Sequence, residues 1–300
     1  MFYSNPLFKQ SILPETKIES AIITLTSSES KRLIAKAVAT LPEVILALKN
    51  GTVVINWGTT TAFVVEEILK IPIPNKADFA SGLISQGELN VNHPETKIPP
   101  FVIKDGKPSE IHQKAALREF KPGDVFIKGA NALDTLGNVG ILVAAELGGS
   151  IHEAWLGINI RGGCFICPVG LEKLVPSVGD AAQKCGVFRF KYSMGPPVSM
   201  VAFANEVKAV TEVQAIKVLT GTDAFHVASG GIAGSEGSVT MVLEGQLQDL
   251  ERAFDLVKNI KGEQAVGPPR RYIAPSAASV NYDPGVLSEG IQKDVSERGI

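Results

Sequence analysis

One stretch near the start of the chain, Thr52 to Lys70, most constrains what the chain can fold into. It opens with the β-branched run 53–55, which is typical of a strand buried on both faces in a parallel sheet. A Gly-Thr-Thr-Thr turn begins at Gly58. From Ala62 to Lys70 the spacing is helical, with apolar residues on one side and glutamates on the other. Strand, turn and helix in this order predict an α/β unit.

The turn at residues 58–61 also predicts a site for a negatively charged ligand. Glycine lets the backbone approach a ligand closely, and the first N–H groups of a helix have no intrahelical partner. Three threonine hydroxyls add further hydrogen-bonding groups. The alternative interpretation is that Thr59 or Thr60 only caps the helix. The candidate ligand-binding residues of this segment are Gly58, Thr59, Thr60 and Thr61.

Composition argues against several classes of function. The formal net charge is −2 and no block of basic residues stands out, which disfavours nucleic acid or an anionic membrane as the main partner. No run approaches the roughly 18 to 20 apolar residues that span a bilayer, and the N-terminus lacks a signal-peptide pattern. The 3 cysteines, an odd number, favour a reducing compartment. We therefore expect a cytoplasmic protein without a nucleic-acid or membrane partner.

Two of the cysteines, Cys164 and Cys167, have the C-x-x-C spacing of some metal and redox sites. They lie in an apolar run that predicts a strand, where side chains three residues apart point to opposite faces. No second pair follows at zinc-site spacing. We expect buried thiols here, with no metal and no cofactor.

The order of predicted elements divides the chain into four parts. Residues 1–20 predict an irregular arm, and residues 266–300 an extended C-terminal tail. Alternating strands and helices over 21–190 predict a doubly wound, mostly parallel α/β domain. Strand, helix, strand, strand and helix over 195–265 predict a second, ferredoxin-like α+β domain.

Three segments that follow predicted buried strands should meet at one edge of the sheet, because open α/β sheets bind ligands at the carboxyl ends of their strands. They are the Gly-Thr turn, the segment 128–134 and the loop after Val169. Together they offer hydroxyls, lysines, an amide and backbone donors, which suit an anion. The candidate ligand-binding residues of the second and third segments are Lys128, Gly129, Ala130, Asn131 and Lys173.

Three residues are candidates for catalysis. Lys128 could hold a negative charge, and Asp134 could act as a base or, alternatively, only stabilise its own turn. His152 could be an acid or base beside Glu153, although adjacent residues on a helix do not face each other. Asn131 would recognise a ligand hydroxyl.

The same segments resemble a known superfamily. N-G-T-V-V-I-N-W-G-T-T-T-A-F-V-V-E-E-I-L at 50–69 resembles its first phosphate-binding turn. G-D-V-F-I-K-G-A-N-A-L-D at 123–134 is similar to its second signature, and C-F-I-C-P-V-G-L-E-K-L at 164–174 to a later strand and lysine-bearing loop. The superfamily includes ribose-5-phosphate isomerase, glucosamine-6-phosphate deaminase, CoA transferases and the sensor domain of DeoR-type regulators. The resemblance implies this fold, with an anion-binding edge and a small ferredoxin-like domain.

The resemblance implies a ligand class better than a reaction. Where the isomerases carry acidic residues, this chain has Lys128, Asn131 and Ala132, and a CoA-transferase glutamate is not evident. We expect a small anionic metabolite, a sugar phosphate or CoA-type ligand, bound by an isomerase- or transferase-like enzyme. The alternatives are a non-catalytic metabolite sensor or binding protein, and a subunit of an oligomeric assembly. We also expect a homo-oligomer.

Overall fold

The computed structural model describes residues 17–145, 148–204 and 206–272. Most of the predicted N-terminal arm and C-terminal tail therefore lies outside the described residues, as does the side chain of Glu153.

Helices and strands alternate through much of the described chain. The strands are β1 Glu19–Leu25, β2 Thr52–Ile55, β3 Gly82–Ser85, β4 Glu88–Asn92, β5 Phe101–Lys104, β6 Lys107–Ser109, β7 Val125–Ile127, β8 Ala132–Leu133, β9 Val139–Val143, β10 Cys164–Pro168, β11 Ser199–Phe203, β12 Lys208–Val210, β13 Asp223–Ser229, β14 Val239–Gly245 and β15 Arg271–Tyr272. The α-helices are α1 Ser27–Thr40, α2 Pro42–Asn50, α3 Thr59–Leu69, α4 Gln113–Arg118, α5 Gly149–Arg161, α6 Val178–Lys184, α7 Glu212–Thr220 and α8 Leu247–Ile260. Among the helices of these ranges, none combines the length and apolarity needed to cross a bilayer.

A six-stranded mixed sheet forms the centre, with the strand order β12-β10-β7-β2-β5-β6. The first four strands run parallel, and β5 and β6 add an antiparallel hairpin at one edge. The apolar runs 53–55 and 125–127 are completely buried, as expected for strands covered on both faces. The predicted α/β class is therefore confirmed, with a mixed parallel and antiparallel sheet.

Helix α1 joins several parts of the fold. It begins with a capping box, in which the Thr26 hydroxyl accepts from the Glu29 N–H and the Glu29 carboxylate accepts from the Thr26 N–H. The helix packs against α3 and α7. Its Arg32 pairs with Glu66 of α3 at 2.6 Å and with Glu263 at 2.8 Å. Because these side chains are largely buried, the ion pairs fasten α1 to α3 and to the segment after α8.

The pairing within residues 195–265 differs from the expected order. Strand β11 pairs with β9, whereas the hairpin of β13 and β14 takes β1, from the other end of the described chain, as its third strand. The inward residues Ile23 and Leu25 of β1 join the same hydrophobic cluster as Leu250 and Val257 of α8. Burial of these side chains favours the pairing of β1 with β14. The local sequence pattern of neither strand predicts this pairing.

Two hairpins occupy much of the stretch 71–108, which is rich in Pro, Asn and Gly. Strands β3 and β4 are joined through Gln86 and Gly87, and β5 and β6 through Asp105 and Gly106; these four residues have positive φ. Such two-residue turns match the twist of antiparallel strands. Helix α4 is short: Ser109 ends β6, and His112 is the N-cap residue of the helix.

Candidate functional site

A cavity of about 730 Å³ opens where β2, β7 and β10 end. The three segments expected to meet at this edge all contribute to its wall. The predicted ligand-binding residues that line it are Gly58, Thr59, Thr60, Lys128, Gly129, Ala130, Asn131 and Lys173. The structure thus brings all of the predicted set together except Thr61.

The N-terminus of α3 forms one side of the cavity. Gly58 is the N-cap residue, no side chain caps the helix, and its first turn holds no acidic residue. The interpretation of Thr59 or Thr60 as a simple cap therefore does not match this geometry. Thr61 is fully buried, with its hydroxyl 2.7 Å from the Asn56 carbonyl oxygen, and so it supports the turn from inside. The unpaired N–H groups and the helix dipole make this side favourable for negative charge.

Lys128 lies at the end of β7 and is almost completely buried, with 9% of its surface exposed. Its Nζ is 3.3 Å from the Asn56 Oδ1 and 3.3 Å from the Trp57 carbonyl oxygen. Burial lowers the pKa of Lys128 to about 8. A buried ammonium group with only neutral acceptors contributes net positive charge to the cavity wall.

A second group of charges lines the opposite part of the wall. Lys173 donates to the Ala130 carbonyl oxygen at 2.8 Å, and Lys31 donates to Glu172 Oε1 at 2.9 Å. Burial and the neighbouring Lys31 lower the pKa of Lys173. Burial would raise the pKa of Glu172, but the two lysines outweigh it and lower the value. Three lysines thus face a single glutamate among the described lining residues.

Sequence reasoning missed Lys31 and Glu172. Glu172 adjoins the predicted Lys173 and could have been found from the loop that carries both residues. Lys31 lies in the second turn of α1 and is 7% exposed, but no feature of its spacing separates it from a lysine on a helix surface. Its place in the cavity depends on how α1 packs against the sheet.

The remaining wall is largely apolar and comes from elements that were not predicted to border the site. The hairpin of β3 and β4 contributes Leu83, Ile84, Leu89 and Val91, and β9 contributes Ile141, Leu142 and Val143. Trp57 is fixed by a 2.8 Å hydrogen bond from its Nε1 to the Ile98 carbonyl oxygen, with Lys97 4.4 Å from its ring. The cavity therefore pairs a cationic side with an aliphatic side.

Asn131 lies on the cavity wall at the start of β8. Its Oδ1 accepts a 3.0 Å hydrogen bond from the Leu142 N–H, which links the turn after β7 to β9. A contact with a ligand hydroxyl would therefore come from the amide Nδ2, as a donor.

Asp134 does not line the cavity, which argues against the predicted catalytic role. Its Oδ1 accepts from the N–H groups of Leu136 and Asn138, each at 3.0 Å. Its Oδ2 accepts from the Asn138 side chain at 2.9 Å and from the Val178 N–H at 3.0 Å. Burial alone would raise the pKa of Asp134, but these hydrogen bonds outweigh it and lower the value. The carboxylate fastens its turn to the start of α6.

His152 also lies apart from the cavity, although its helix begins there. Gly148, Gly149 and Ser150 line the main cavity, whereas the exposed His152 lies in a separate groove of about 420 Å³ between α4 and α5. His152 is not among the residues that line the main cavity, and the structure offers no support for its predicted catalytic role.

Comparison with known proteins adds no further assignment. The chain matches no family model, no curated protein and no solved structure. The residues of the cavity itself therefore provide the basis for assigning its chemistry.

Proposed function

We propose that the chain binds a small anionic metabolite, such as a sugar phosphate or a CoA-type ligand, and acts on it as an isomerase- or transferase-like enzyme. The observation that carries this proposal is the buried Lys128 on the cavity wall, whose described hydrogen-bond partners are all neutral. A ligand anion would supply the missing counter-charge.

Two further features support a negatively charged ligand. The N-terminus of α3 presents unpaired N–H groups beside Lys128, and the described lining charges are three lysines and one glutamate. Each hydrogen bond to a charged ligand group would contribute about 1.5 to 3 kcal/mol. The cavity lies at the carboxyl ends of parallel strands, which is where α/β folds commonly bind ligands.

An enzyme is favoured over a non-catalytic sensor by one property of the cavity. A sensor needs only hydrogen bonds and charge, whereas catalysis commonly uses a group whose pKa is shifted toward the working pH. Lys128 has such a pKa, about 8.

The proposal includes kinship with the sugar-phosphate isomerase and CoA-transferase superfamily, a doubly wound arrangement, a cytoplasmic location and a homo-oligomer. Strands β2, β7, β10 and β12 run parallel, and a ligand-sized cavity lies at the carboxyl ends of the first three. These two features support the kinship and the doubly wound arrangement.

A thermal-shift screen tests the function. The screen would include sugar phosphates, CoA esters, nucleotides and simple carboxylates. A true ligand at 100 times its Kd should stabilise the protein by about 2.7 kcal/mol. Thr60→Val and Lys128→Met should erase the shift, while Lys121→Met, at an exposed position, should keep it. Retention of the full shift by both cavity variants would place the site elsewhere.

A further inference from the structure

We propose that Lys128 is a nucleophile that forms an imine with an anionic aldehyde or ketone bound in the cavity. The inference rests on the proposed function, because it assigns a reaction to the same site and narrows the ligand to carbonyl compounds.

The surroundings of Lys128 differ from those of Lys31 and Lys173. Lys31 is held in a 2.9 Å ion pair with Glu172. Lys173 donates a shorter, 2.8 Å hydrogen bond to the Ala130 carbonyl oxygen. Burial lowers the pKa of Lys173, but the carboxylates of Glu172 and Glu212 act to raise it. Within the described chain, no carboxylate lies within ion-pair distance of the Lys128 Nζ, and its two neutral acceptors are both at 3.3 Å. An amine held by long bonds to neutral oxygens can lose its proton and turn toward a ligand without breaking an ion pair.

Burial supplies the free amine that such a reaction requires. With a pKa of about 8, roughly one Lys128 in ten is unprotonated at pH 7, against roughly one in three thousand for an ordinary lysine. Lysines in enzymes are activated for attack on carbonyl groups by such desolvation.

The N-terminus of α3 provides an anchor beside the nucleophile. Gly58 and Thr59 line the wall next to Lys128, and a Cβ on Gly58 would lie 3.8 Å from the Gly129 N–H nitrogen, which shows how closely the two segments approach. A carboxylate or phosphate docked on the helix N-terminus would hold the rest of a short ligand against the Nζ.

The step balances without an oxidant or reductant. The neutral Nζ forms a bond to the carbonyl carbon, the carbonyl electron pair moves to oxygen, and the proton lost by nitrogen is taken up there. The resulting carbinolamine releases its hydroxyl as water, with a proton from solvent, and the C=N bond forms. The protonated imine can then withdraw electrons from a neighbouring carbon, which suits isomerase-type chemistry.

Reductive trapping tests the inference. The full chain is incubated at pH 7.5 with glyoxylate, pyruvate or ribose 5-phosphate and sodium cyanoborohydride, and the modified lysine is located by peptide mass mapping. We expect the adduct at Lys128 before any exposed lysine. We also expect inorganic phosphate to slow its formation by competing for the helix N-terminus.

Two variants of Lys128 distinguish failure of the proposed imine formation from failure of the proposed anion binding. Lys128→Arg keeps the charge without a nucleophile, so it should retain part of the thermal shift while forming no adduct at this position. Lys128→Met should lose both, and Lys121→Arg should lose neither. A thermal shift in the wild type with no Lys128 adduct, or with adducts spread over exposed lysines, would overturn the imine and leave anion binding intact. Absence of any thermal shift in the screen would overturn both proposals.

Discussion

The Lys128 Nζ lies 3.3 Å from the Oδ1 of Asn56, an oxygen that already accepts a 2.7 Å hydrogen bond from the Trp57 N–H. Asn56 is fully buried, and its Nδ2 donates to Gln113 Oε1 at 2.5 Å, which fixes the orientation of the amide. The lysine therefore faces a neutral acceptor that is shared and cannot turn toward it. A charge in such a position is stabilised poorly by the protein itself and is available to a ligand.

Replacement of this charge should raise stability while removing function. Lys128→Met keeps most of the side-chain volume and removes an unpaired buried ammonium group. The shift of the pKa from 10.5 to about 8 corresponds to about 3 kcal/mol at neutral pH, so we expect a gain of 1 to about 3 kcal/mol in the free energy of unfolding. Urea denaturation at pH 7 measures it.

The exposed Lys121→Met is the matched control for this experiment and should change stability by less than about 0.5 kcal/mol. A clear loss of stability in Lys128→Met would mean that the protein depends on the ammonium group for its own structure, contrary to the interpretation above.

Ligand affinity should fall as the pH rises through about 8. The bound anion needs the ammonium form of Lys128, and that form is lost in the free protein near pH 8. The other charged groups of the wall are Lys173 and Glu172, whose pKa values are both lowered, and Lys31, which pairs with Glu172. The nearby Cys167, with a pKa of about 12, remains a neutral thiol. Calorimetric titrations at pH 7, 8 and 9 with one ligand measure the change.

Stability without ligand should show the opposite trend. The folded protein releases the Lys128 proton near pH 8, whereas the unfolded chain keeps it to about 10.5, so this group makes the free energy of unfolding rise between these values. The rise should be smaller in Lys128→Met, in which Lys173, whose pKa is also lowered, remains to contribute. In the calorimetric titrations of the preceding prediction, a ligand affinity that is constant from pH 7 to 9 would show that Lys128 does not contact the anion.

Asn56→Asp should weaken the binding of an anion in the cavity. The new carboxylate would lie beside the Lys128 Nζ, restore its pKa toward the ordinary range and neutralise the charge meant for a ligand. Gln113 can turn its amide to donate to the new oxygen. We expect anion affinity to fall about 10- to 100-fold, measured by calorimetry.

A double-mutant cycle provides the control for Asn56→Asp. In the Lys128→Met background the aspartate would be buried without a partner, so it should be destabilising by about 3 kcal/mol or more. Equal stability effects of Asn56→Asp in the two backgrounds would show that no ion pair forms.

The cationic side of the cavity could be predicted from the sequence because its parts obey a local rule. Apolar strands followed by polar turns recur at Gly58, Lys128 and Lys173, and parallel strands bring their carboxyl ends to one edge. Nothing beyond the pattern of each segment is needed. The capping box at Thr26 and the helix stop at Gly51 are equally local signals.

Neither the aliphatic side of the cavity nor the pairing of β1 with β14 could be predicted from the local sequence patterns. The β3 and β4 hairpin lies in a stretch rich in Pro, Asn and Gly, and its turn uses Gln86 rather than a residue common in such turns. Strand β1 joins β14 across most of the chain, a choice made by burial of Ile23 and Leu25. The sequence also does not show that four hydrogen-bond donors surround the Asp134 carboxylate, and so from the sequence alone Asp134 is a candidate for catalysis.

Asp134→Asn should weaken the fold and leave ligand binding unchanged. Asparagine puts an NH₂ group where the carboxylate accepts from Asn138 or Val178, so we expect a loss of about 1 to 3 kcal/mol at pH 7. Because the folded-state pKa of Asp134 lies below its ordinary value, the stabilisation is present above pH 3.8 and is lost as the pH falls through the folded-state pKa. The difference in stability between wild type and variant should therefore shrink in acid.

The control for this prediction is Asp105→Asn. Asp105 lies in an exposed turn with a positive φ that asparagine tolerates, so this substitution should change stability very little. Urea denaturation at pH 7 and in acid gives the stabilities and calorimetry the affinity; reduced affinity with unchanged stability would return Asp134 to the functional site.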